Sequence, residues 1–306
     1  MMNTFLSENP TQPLTATTPP DRQPIIGVVA GEFSNPYTLT LLNEVTRQLN
    51  LRGAGTLLLN VGDDASCQAV LRTGRPLPVD ALLFLAHHLS AEQLAAMTAR
   101  YPLPAIHVCH SAAREGEAAI GVDDYAAGEQ IGHLLLSQGY QRFGFLKGPA
   151  SPSPLRRMEG YAASLQGAGK TLNSVLVAGQ SDREKAYEAM MTYLKTTWAS
   201  ERIDGLFCEN DVLAFGAMQA IRDFGEGAHI GVVGFDDVGE ARSSMWSLTT
   251  WAQRGDLQIA EALNRLLDNR ADEQGAWRTG ELKIRHSHLS REEHGEMSQC
   301  GCASRS

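Results

Sequence analysis

The sequence predicts an α/β protein built from two Rossmann-like lobes, each with a parallel sheet covered by helices. Short apolar runs recur along the chain without alternating polar residues, which is typical of strands buried on both faces. Amphipathic stretches at helical spacing separate these runs, and this β–α–β order favours parallel strands. The elements fall into two series of similar size, and 306 residues are enough for two lobes.

The first series of elements begins at residue 25. It opens with the apolar strand IIGVVA, and after a turn a helix carries Leu42, Val45 and Leu49 at helical spacing. A later helix opens with Ser-Ala-Glu-Gln, a capping sequence. The predicted strands are 25–30, 56–60, 81–86, 105–109 and 119–122, and the predicted helices are 37–51, 90–100 and 125–138.

The second series begins near residue 142 and is interrupted by the proline-rich stretch 148–154. This stretch is incompatible with regular structure, so we interpret it as a crossing between the lobes. The helix that follows the next strand places Tyr187, Met190, Met191, Leu194 and Trp198 on one face, which is typical of a core-facing side. The predicted strands are 142–147, 174–178, 204–208, 229–235 and 281–285, and the predicted helices are 155–166, 182–198, 211–224 and 255–267.

Composition argues against two classes of partner. Lys and Arg number 26 against 35 Asp and Glu, so the net charge is −9 and the whole chain is not expected to bind nucleic acid. No apolar run approaches the ~18 residues of a membrane span, so no membrane partner is expected.

The two ends of the sequence have the composition of tails. Residues 1–24 are rich in Pro and Thr and carry no secretory signal, and residues 290–306 are polar. We therefore expect a cytoplasmic protein, with the five cysteines as reduced thiols. Cys300-Gly-Cys302 lies in the polar tail, so we do not predict a metal site there.

Enzyme and cofactor motifs are missing from the sequence. It contains no G-x-G-x-x-G after a predicted strand, and no G-x-S-x-G, H-E-x-x-H or C-x-x-C. The segment GAGKT at 167–171 imitates the end of a P-loop, but Ser164 stands where the first glycine is needed. Adjacent acidic pairs such as Asp123-Asp124 are poor evidence for acid–base chemistry. We predict no catalytic residue, no cofactor and no metal.

Polar side chains occur where predicted strands lead into helices, and ligands of parallel sheets bind outside those carboxyl ends. Each of these residues also has a purely structural interpretation: Asn210 as a helix N-cap, Asp236 as a turn residue and Arg157 as a solvated charge. Together they offer amides, a carboxylate, a guanidinium and an aromatic face, which suit a polyhydroxylated or heterocyclic small molecule. The residues concerned are Asn35, Pro36, Tyr37, Arg157, Asn210, Asp211, Asp236, Asp237 and Gln253.

Several longer segments occur in a specific order between residues 24 and 289. They are IIGVVAGEFSNPY, GVDDYAAGEQIGHLLLSQGYQRFGFLKGP, RRMEGYAASL, DGLFCENDVLAFGAMQAIRDFG, IGVVGFDD and SLTTWAQ. In this order they resemble the effector-binding core of LacI/GalR-type bacterial transcription regulators, which are related to periplasmic sugar-binding proteins.

The resemblance implies a periplasmic binding protein type I fold with three crossings between the lobes, and dimers that open and close around an effector. It places the crossings near 148–154, 236–252 and 270–280. The implied lobes are an N-lobe at about 25–148 and 252–269, and a C-lobe at about 155–236 and 280–289.

The resemblance also implies a set of ligand-binding residues. Asp236 matches the family aspartate that accepts ligand hydroxyls, and Arg157 matches the family's ligand arginine. Cys109-His110 stands where sugar binders of this type often carry Asp-Arg, which departs from their pyranose or ribose pattern. The candidate ligand-binding residues are Asn35, Tyr37, His110, Tyr125, Arg157, Asn210, Asp236 and Gln253.

The sequence therefore predicts a ligand-responsive transcriptional regulator that binds a small polar effector, sugar or nucleoside-like, as a homodimer. A helix-turn-helix headpiece takes about 60 residues, whereas 24 precede the core, so DNA binding is expected only with a headpiece in the full-length protein or a partner. The first alternative is a solute-binding protein for sugar uptake, which would need export. The second is an enzyme on a doubly wound fold.

Overall fold

The chain folds into two compact units, seen in a computed structural model that describes residues 22–31, 33, 35–72, 76–85, 89–108, 118–149, 155–179, 182–225 and 228–289. Unit 1 contains the described residues up to Val122 together with Arg254–Thr279. Unit 2 contains Asp123–Gln253 and the described residues from Gly280 onward. The predicted α/β class with two parallel-sheet lobes is confirmed.

Unit 1 contains a five-stranded parallel sheet in the order β2-β1-β3-β4-β5. Strand β1, which lies between β2 and β3, is buried along almost its whole length, as its uninterrupted apolar sequence predicts. The elements of unit 1 are β1 (Ile25–Ala30), α1 (Pro36–Leu51), β2 (Gly55–Asn60), α2 (Asp64–Arg72), β3 (Ala81–Phe84), α3 (Ala91–Arg100), β4 (Ala105–Val108), β5 (Ala119–Ile120) and α8 (Gly255–Asp268).

Unit 2 contains a six-stranded sheet in the order β11-β10-β9-β8-β6-β7. All neighbouring strands are parallel except β11, which runs antiparallel to β10. The elements of unit 2 are α4 (Asp124–Ser137), β6 (Phe143–Lys147), α5 (Arg156–Gly167), β7 (Leu172–Val177), α6 (Arg183–Thr196), β8 (Gly205–Cys208), α7 (Asp211–Phe224), β9 (Gly231–Phe235), β10 (Thr249–Gln253) and β11 (Gly280–Lys283).

The first boundary between the units differs from the prediction. It lies at Val122/Asp123 rather than near 148–154, so α4 and β6 belong to unit 2. The reason is strand pairing: β6 lies between β7 and β8 in the second sheet. The proline-rich stretch therefore joins two elements of the same unit, although residues 150–154 lie outside the described part.

The later boundaries lie at Gln253/Arg254 and Thr279/Gly280. The second of these lies within the predicted crossing at 270–280. The first lies just past the predicted crossing at 236–252, because β10 pairs with β9 and completes the sheet of unit 2 before the chain leaves it. Strand β10 and helix α2 were not predicted. Strand β10 is buried, but its two threonines interrupt the apolar run that would have indicated a buried strand.

The helices begin where side chains can accept the unpaired backbone N–H groups of their first turns. Asn35, Ser90 and Asp182 each cap a helix in this way, and Ser90 with Gln93 forms a complete capping box. In the part of the chain that is described, no helix combines the length and apolar character that crossing a membrane requires.

Candidate functional site

The candidate site lies at the carboxyl edge of the unit 2 sheet. Glu209 follows β8 directly, Asp236 follows β9, and Gln253 is the last residue of β10. Because β8, β9 and β10 are parallel neighbours, these three residues reach the same edge of the sheet. Arg157 reaches it from the first turn of α5.

Arg157 is held on several sides at this edge. Its Nη2 lies 2.8 Å from Asp124 Oδ1 in an ion pair, and its Nη1 donates to the Glu209 carbonyl oxygen at 2.8 Å. The guanidinium lies over the Phe235 ring, with Cζ 3.7 Å from the ring centroid. Its Nε is buried without a hydrogen-bond partner among the described residues. The guanidinium is therefore fixed in place, and its Nε–H is among the donors that remain unused.

Close packing of α4 on α5 brings Asp124 to Arg157. A Cβ on Gly128 would lie 2.0 Å from the Arg157 carbonyl oxygen, and a Cβ on Gly160 would lie 2.0 Å from the Tyr125 carbonyl oxygen. Only glycine allows the two helix backbones to approach so closely. The first residue of α4 and the first turn of α5 therefore come into contact.

Asp236 lies in a strained turn after β9. Its backbone φ is 109° and that of Asp237 is 50°, so two consecutive non-glycine residues occupy the positive-φ region. The Asp236 N–H donates to the Trp251 carbonyl oxygen at 2.8 Å, and its Oδ1 accepts from Gln253 Nε2 at 2.8 Å. The turn thus holds the Asp236 carboxylate against β10.

Burial raises the pKa of Asp236 to about 7, although Arg157 and the Gln253 amide lower it in part. Burial acts against the charge of Arg157, but the carboxylates of Asp124, Asp236 and Glu209 outweigh it and raise the Arg157 pKa. Asp236 is therefore poised between its neutral and ionised forms near neutral pH, whereas Arg157 stays charged.

Asp211 lies behind the strained turn and is completely buried. Its Oδ2 accepts from the Val238 N–H at 2.9 Å, and its Oδ1 lies 2.6 Å from Thr250 Oγ1. Burial, together with the charge of Asp236, raises the pKa of Asp211 well above its ordinary value. This carboxyl group links the start of α7 to Val238, directly after the turn, and to Thr250 in β10.

Two further predicted residues lie in unit 2 and have structural partners. Asn210 caps α7, since its Oδ1 accepts from the Leu213 N–H at 3.0 Å. Its alternative interpretation as a helix cap is therefore confirmed, and the cap leaves the Nδ2 donors for other partners. The ring of Tyr125 lies next to Arg156, whose Cζ is 5.0 Å from the ring centroid.

The remaining predicted residues lie elsewhere. Asn35 and Tyr37 are in unit 1, where Asn35 caps α1 by accepting from the Tyr37 N–H at 2.9 Å. Tyr37 is 7% exposed, and its hydroxyl would lie 3.2 Å from a Cβ on Gly255, so it packs against the start of α8. His110 lies outside the described residues.

Three residues that hold Arg157 were not predicted from the sequence: Asp124, Glu209 and Phe235. Asp124 was set aside because an adjacent acidic pair in a strand points to opposite faces. The pair instead starts a helix, with Asp123 as the exposed N-cap and Asp124 buried. A signal was present, because an Asp-Asp pair that precedes an amphipathic run is a helix start. Nothing in the sequence indicated the contact with Phe235.

The cluster can bind hydroxyl or amide groups through its carboxylate, amide and guanidinium. Asp236 offers a carboxylate as acceptor, Gln253 an amide, and Arg157 a charged N–H donor. No set of three or more His, Cys, Asp or Glu side chains in the described ranges could hold a metal ion.

Comparison with known proteins identifies the family of the chain. A family profile described as "periplasmic binding proteins and sugar binding domain of LacI family" matches residues 23–269. The HTH-type transcriptional repressor PurR of Proteus mirabilis is 26% identical over 259 residues, which cover 81% of this chain and 75% of that protein.

The chain is also similar to solved structures of transcription regulators. The transcription regulator GntR from Chromobacterium violaceum is 26% identical with a TM-score of 0.71, covering 86% of this chain and 99% of that one. A LacI family regulator from Enterococcus faecium with bound ribose is 23% identical with a TM-score of 0.70, covering 87% and 98%. Since the family profile matches most of its length, the chain belongs to the family of periplasmic binding proteins and sugar-binding domains of LacI-type regulators.

Proposed function

We propose that the chain is the effector-binding part of a ligand-responsive transcriptional regulator, and that its effector is a small polar molecule of the sugar or nucleoside type. The observation that carries the proposal is the cluster of Arg157, Asp236 and Gln253 at the carboxyl edge of unit 2, in a chain of this family. In open α/β sheets this edge is where ligands bind.

The cluster is suited to a ligand with several hydroxyl or N–H groups. The ionised Asp236 carboxylate accepts two such donors, and Gln253 fixes its orientation through the 2.8 Å hydrogen bond. Arg157 Nε and Asn210 Nδ2 donate to ligand oxygens. The bound ribose of the Enterococcus faecium relative supports a sugar or a ribose-containing molecule as the effector.

In this proposal the effector controls DNA binding. The Proteus mirabilis relative is an HTH-type repressor, and we propose that the DNA-binding segment belongs to the full-length protein or to a partner. We also propose a homodimer that acts in the cytoplasm. The effector changes the population of the DNA-binding conformation through its unequal affinity for two states of the protein. Asn35, Tyr37, Tyr125 and His110 are further proposed ligand contacts.

Ligand-induced stabilisation tests the proposal. The chain is screened by thermal shift against free sugars, nucleosides and nucleobases, and hits are measured by titration calorimetry. A true effector at ~100 times its Kd stabilises the fold by about 2.7 kcal/mol. The Asp236→Ala variant should lose this stabilisation and remain folded by circular dichroism.

A matched control distinguishes the site from a general charge effect. Glu201→Gln removes one exposed carboxylate elsewhere in unit 2 and should bind the effector as wild type does. Effector binding that survives Asp236→Ala would contradict the proposed site. Turnover of a bound sugar or nucleoside would favour the enzyme hypothesis instead.

A further inference from the structure

We propose that Arg285 is a positioning residue of the effector site, because its ion pair with Asp237 holds the strained turn that carries Asp236. The role of Asp236 as a ligand contact rests on the proposed function, whereas the hold of Arg285 on the turn does not depend on a ligand. The inference is carried by the backbone of the turn and by the contacts that Arg285 makes.

The turn after β9 needs support from other parts of unit 2. Asp236 and Asp237 have φ of 109° and 50°, which residues with a Cβ adopt uncommonly. Such a backbone costs free energy and persists only where surrounding contacts hold it. The first residue of the pair donates to the Trp251 carbonyl oxygen, and the residue after the pair donates to Asp211. Asp237 lies between these two contacts and has to be held by contacts of its own.

Asp237 is held mainly through its side chain. Its N–H donates to Thr250 Oγ1 over a long 3.4 Å, whereas its Oδ1 lies 2.6 Å from Arg285 Nη2 in an ion pair. The ion pair is the shorter of the two contacts and is charge-assisted, so it contributes more to the shape of the turn.

Arg285 follows β11 and is itself fixed in place. Its backbone N–H donates to Thr249 Oγ1 at 2.8 Å, and its Nη1 donates to the Leu248 carbonyl oxygen at 2.6 Å. The guanidinium therefore bridges the backbone before β10 and the Asp237 carboxylate with two separate nitrogens. The planar fork of arginine suits such a bridge, whereas lysine offers a single ammonium group. The side chains of the ion pair are only 19% and 24% exposed, so solvent screens it incompletely.

The alternative is an ordinary ion pair that adds little to stability and nothing to the site. The two interpretations differ in what the loss of Arg285 does to Asp236. If the ion pair positions the turn, its loss allows the Asp236 carboxyl group to leave its buried place beside Gln253. If it does not, the loss removes only a cation.

Arg285→Met removes the charge and the guanidinium donors and keeps a long apolar side chain. Arg285→Gln, which loses the charge but keeps an N–H donor for Leu248, replaces it if Arg285→Met does not fold. Lys185→Met is the matched control, because it also removes a cation that forms an ion pair in unit 2, the one with Glu188. Carbon-13 NMR follows the titration of the Asp236 carboxyl group in each protein, and Asp236→Asn identifies its signal.

We expect the pKa of Asp236 to fall by about one pH unit or more in Arg285→Met, because release of the turn exposes the carboxyl group to water. Loss of a cation alone would raise this pKa instead, so a fall reports a changed position. Lys185→Met should leave it unchanged. A pKa that is unchanged or raised in Arg285→Met overturns the proposal.

Amide hydrogen exchange reports on the turn without any titration. In Arg285→Met the N–H groups of Asp236 and Val238 should exchange about 10-fold faster or more, relative to that of Phe207 in the buried strand β8. Glycine adopts positive φ without strain, so adding Asp237→Gly should restore most of the protection, whereas adding Asp237→Ala should not. Equal exchange in wild type and Arg285→Met, or no difference between the two double variants, overturns the proposal.

The effect on binding is measured by titration calorimetry with ribose and adenosine as probes. A probe that binds the wild type should bind Arg285→Met about 10-fold more weakly or worse, and Lys185→Met equally well. Equal affinity for wild type and Arg285→Met overturns the proposal. If neither probe binds the wild type, or if binding survives Asp236→Ala, the result counts against the proposed function, whereas the titration and the exchange still decide the role of Arg285.

Discussion

Asp211 and Thr250, both fully buried, lie 2.6 Å apart between Oδ1 and Oγ1, directly behind the strained turn that carries Asp236. The other oxygen of Asp211 accepts from the Val238 N–H. One carboxyl group therefore joins β10 to the residue that directly follows the Asp236-Asp237 turn. Burial raises the pKa of this carboxyl group well above the ordinary value and so favours its neutral form.

The raised pKa of Asp211 and its two hydrogen bonds predict how position 211 tolerates substitution. Asp211→Asn keeps one oxygen for the Val238 N–H, and its amide N–H can donate to Thr250 Oγ1, which reverses the direction of the wild-type hydrogen bond from the Thr250 hydroxyl. It should cost about 1 kcal/mol or less, whereas Asp211→Ala leaves buried polar groups unpaired and should cost about 2–4 kcal/mol. Urea unfolding at pH 7 measures both values, and equal losses in the two variants would show that a neutral amide does not replace the carboxyl group.

The raised pKa of Asp236 predicts a pH dependence of stability. In the unfolded chain an Asp titrates near about 3.9, whereas burial raises the pKa of Asp236 to about 7 in the fold. Between these values the folded protein holds a proton that the unfolded chain has released. The contribution of this group to stability therefore falls as pH rises through that window and is constant above it.

Asp236→Asn isolates this effect, because its side chain stays neutral at every pH. Its free energy of unfolding relative to wild type should increase as pH rises from about 5 to about 8 and then level off. Denaturant titrations at a series of pH values measure the difference, in which the other ionisable groups cancel. A difference that is independent of pH would show that the pKa is not raised.

The same ionisation affects the proposed effector. A ligand that donates hydroxyl or N–H groups to Asp236 binds its ionised form, so its affinity should rise as pH increases from about 6 to about 8. Binding should release a fraction of a proton near pH 7, which calorimetry in buffers of different ionisation enthalpy detects. Proton uptake on binding would contradict this view of Asp236.

The Arg157–Asp124 ion pair predicts strong coupling between its members. Arg157→Met leaves the Asp124 carboxylate buried without its cation and should cost about 3–5 kcal/mol. Adding Asp124→Asn removes the stranded charge, so the double variant should recover most of this loss. A double-mutant cycle by urea unfolding measures the coupling, and additive losses would mean that the pair contributes little.

The approach of α4 to α5 predicts opposite effects of alanine at two glycines. In Gly128→Ala the methyl group would meet the Arg157 carbonyl oxygen at 2.0 Å, so the helices must separate at a cost of about 1–3 kcal/mol. Gly167→Ala, at the last residue of α5, meets nothing within 4 Å and should be neutral or stabilising by up to about 1 kcal/mol. Thermal unfolding of both variants checks the pair, and similar losses in both would contradict the packing argument.

Much of the fold could be predicted from local sequence. The apolar run of β1 and the capping residues Asn35 and Ser90 mark their elements within a few residues, because burial on both faces and helix capping act over short stretches. The first boundary between the units could not be predicted, because the long-range pairing of β6 with β8 decides it.

The sequence by itself determined the two-unit α/β architecture and the identity of Arg157, Asp236 and Gln253 as candidate ligand contacts. Only the tertiary structure decided what surrounds them: that Asp124 neutralises Arg157, and that burial raises the pKa of Asp236 to about 7. Strand periodicity and strand ends can be recognised from neighbouring residues. Charge compensation and desolvation depend on groups that lie far apart in the chain and meet only after folding.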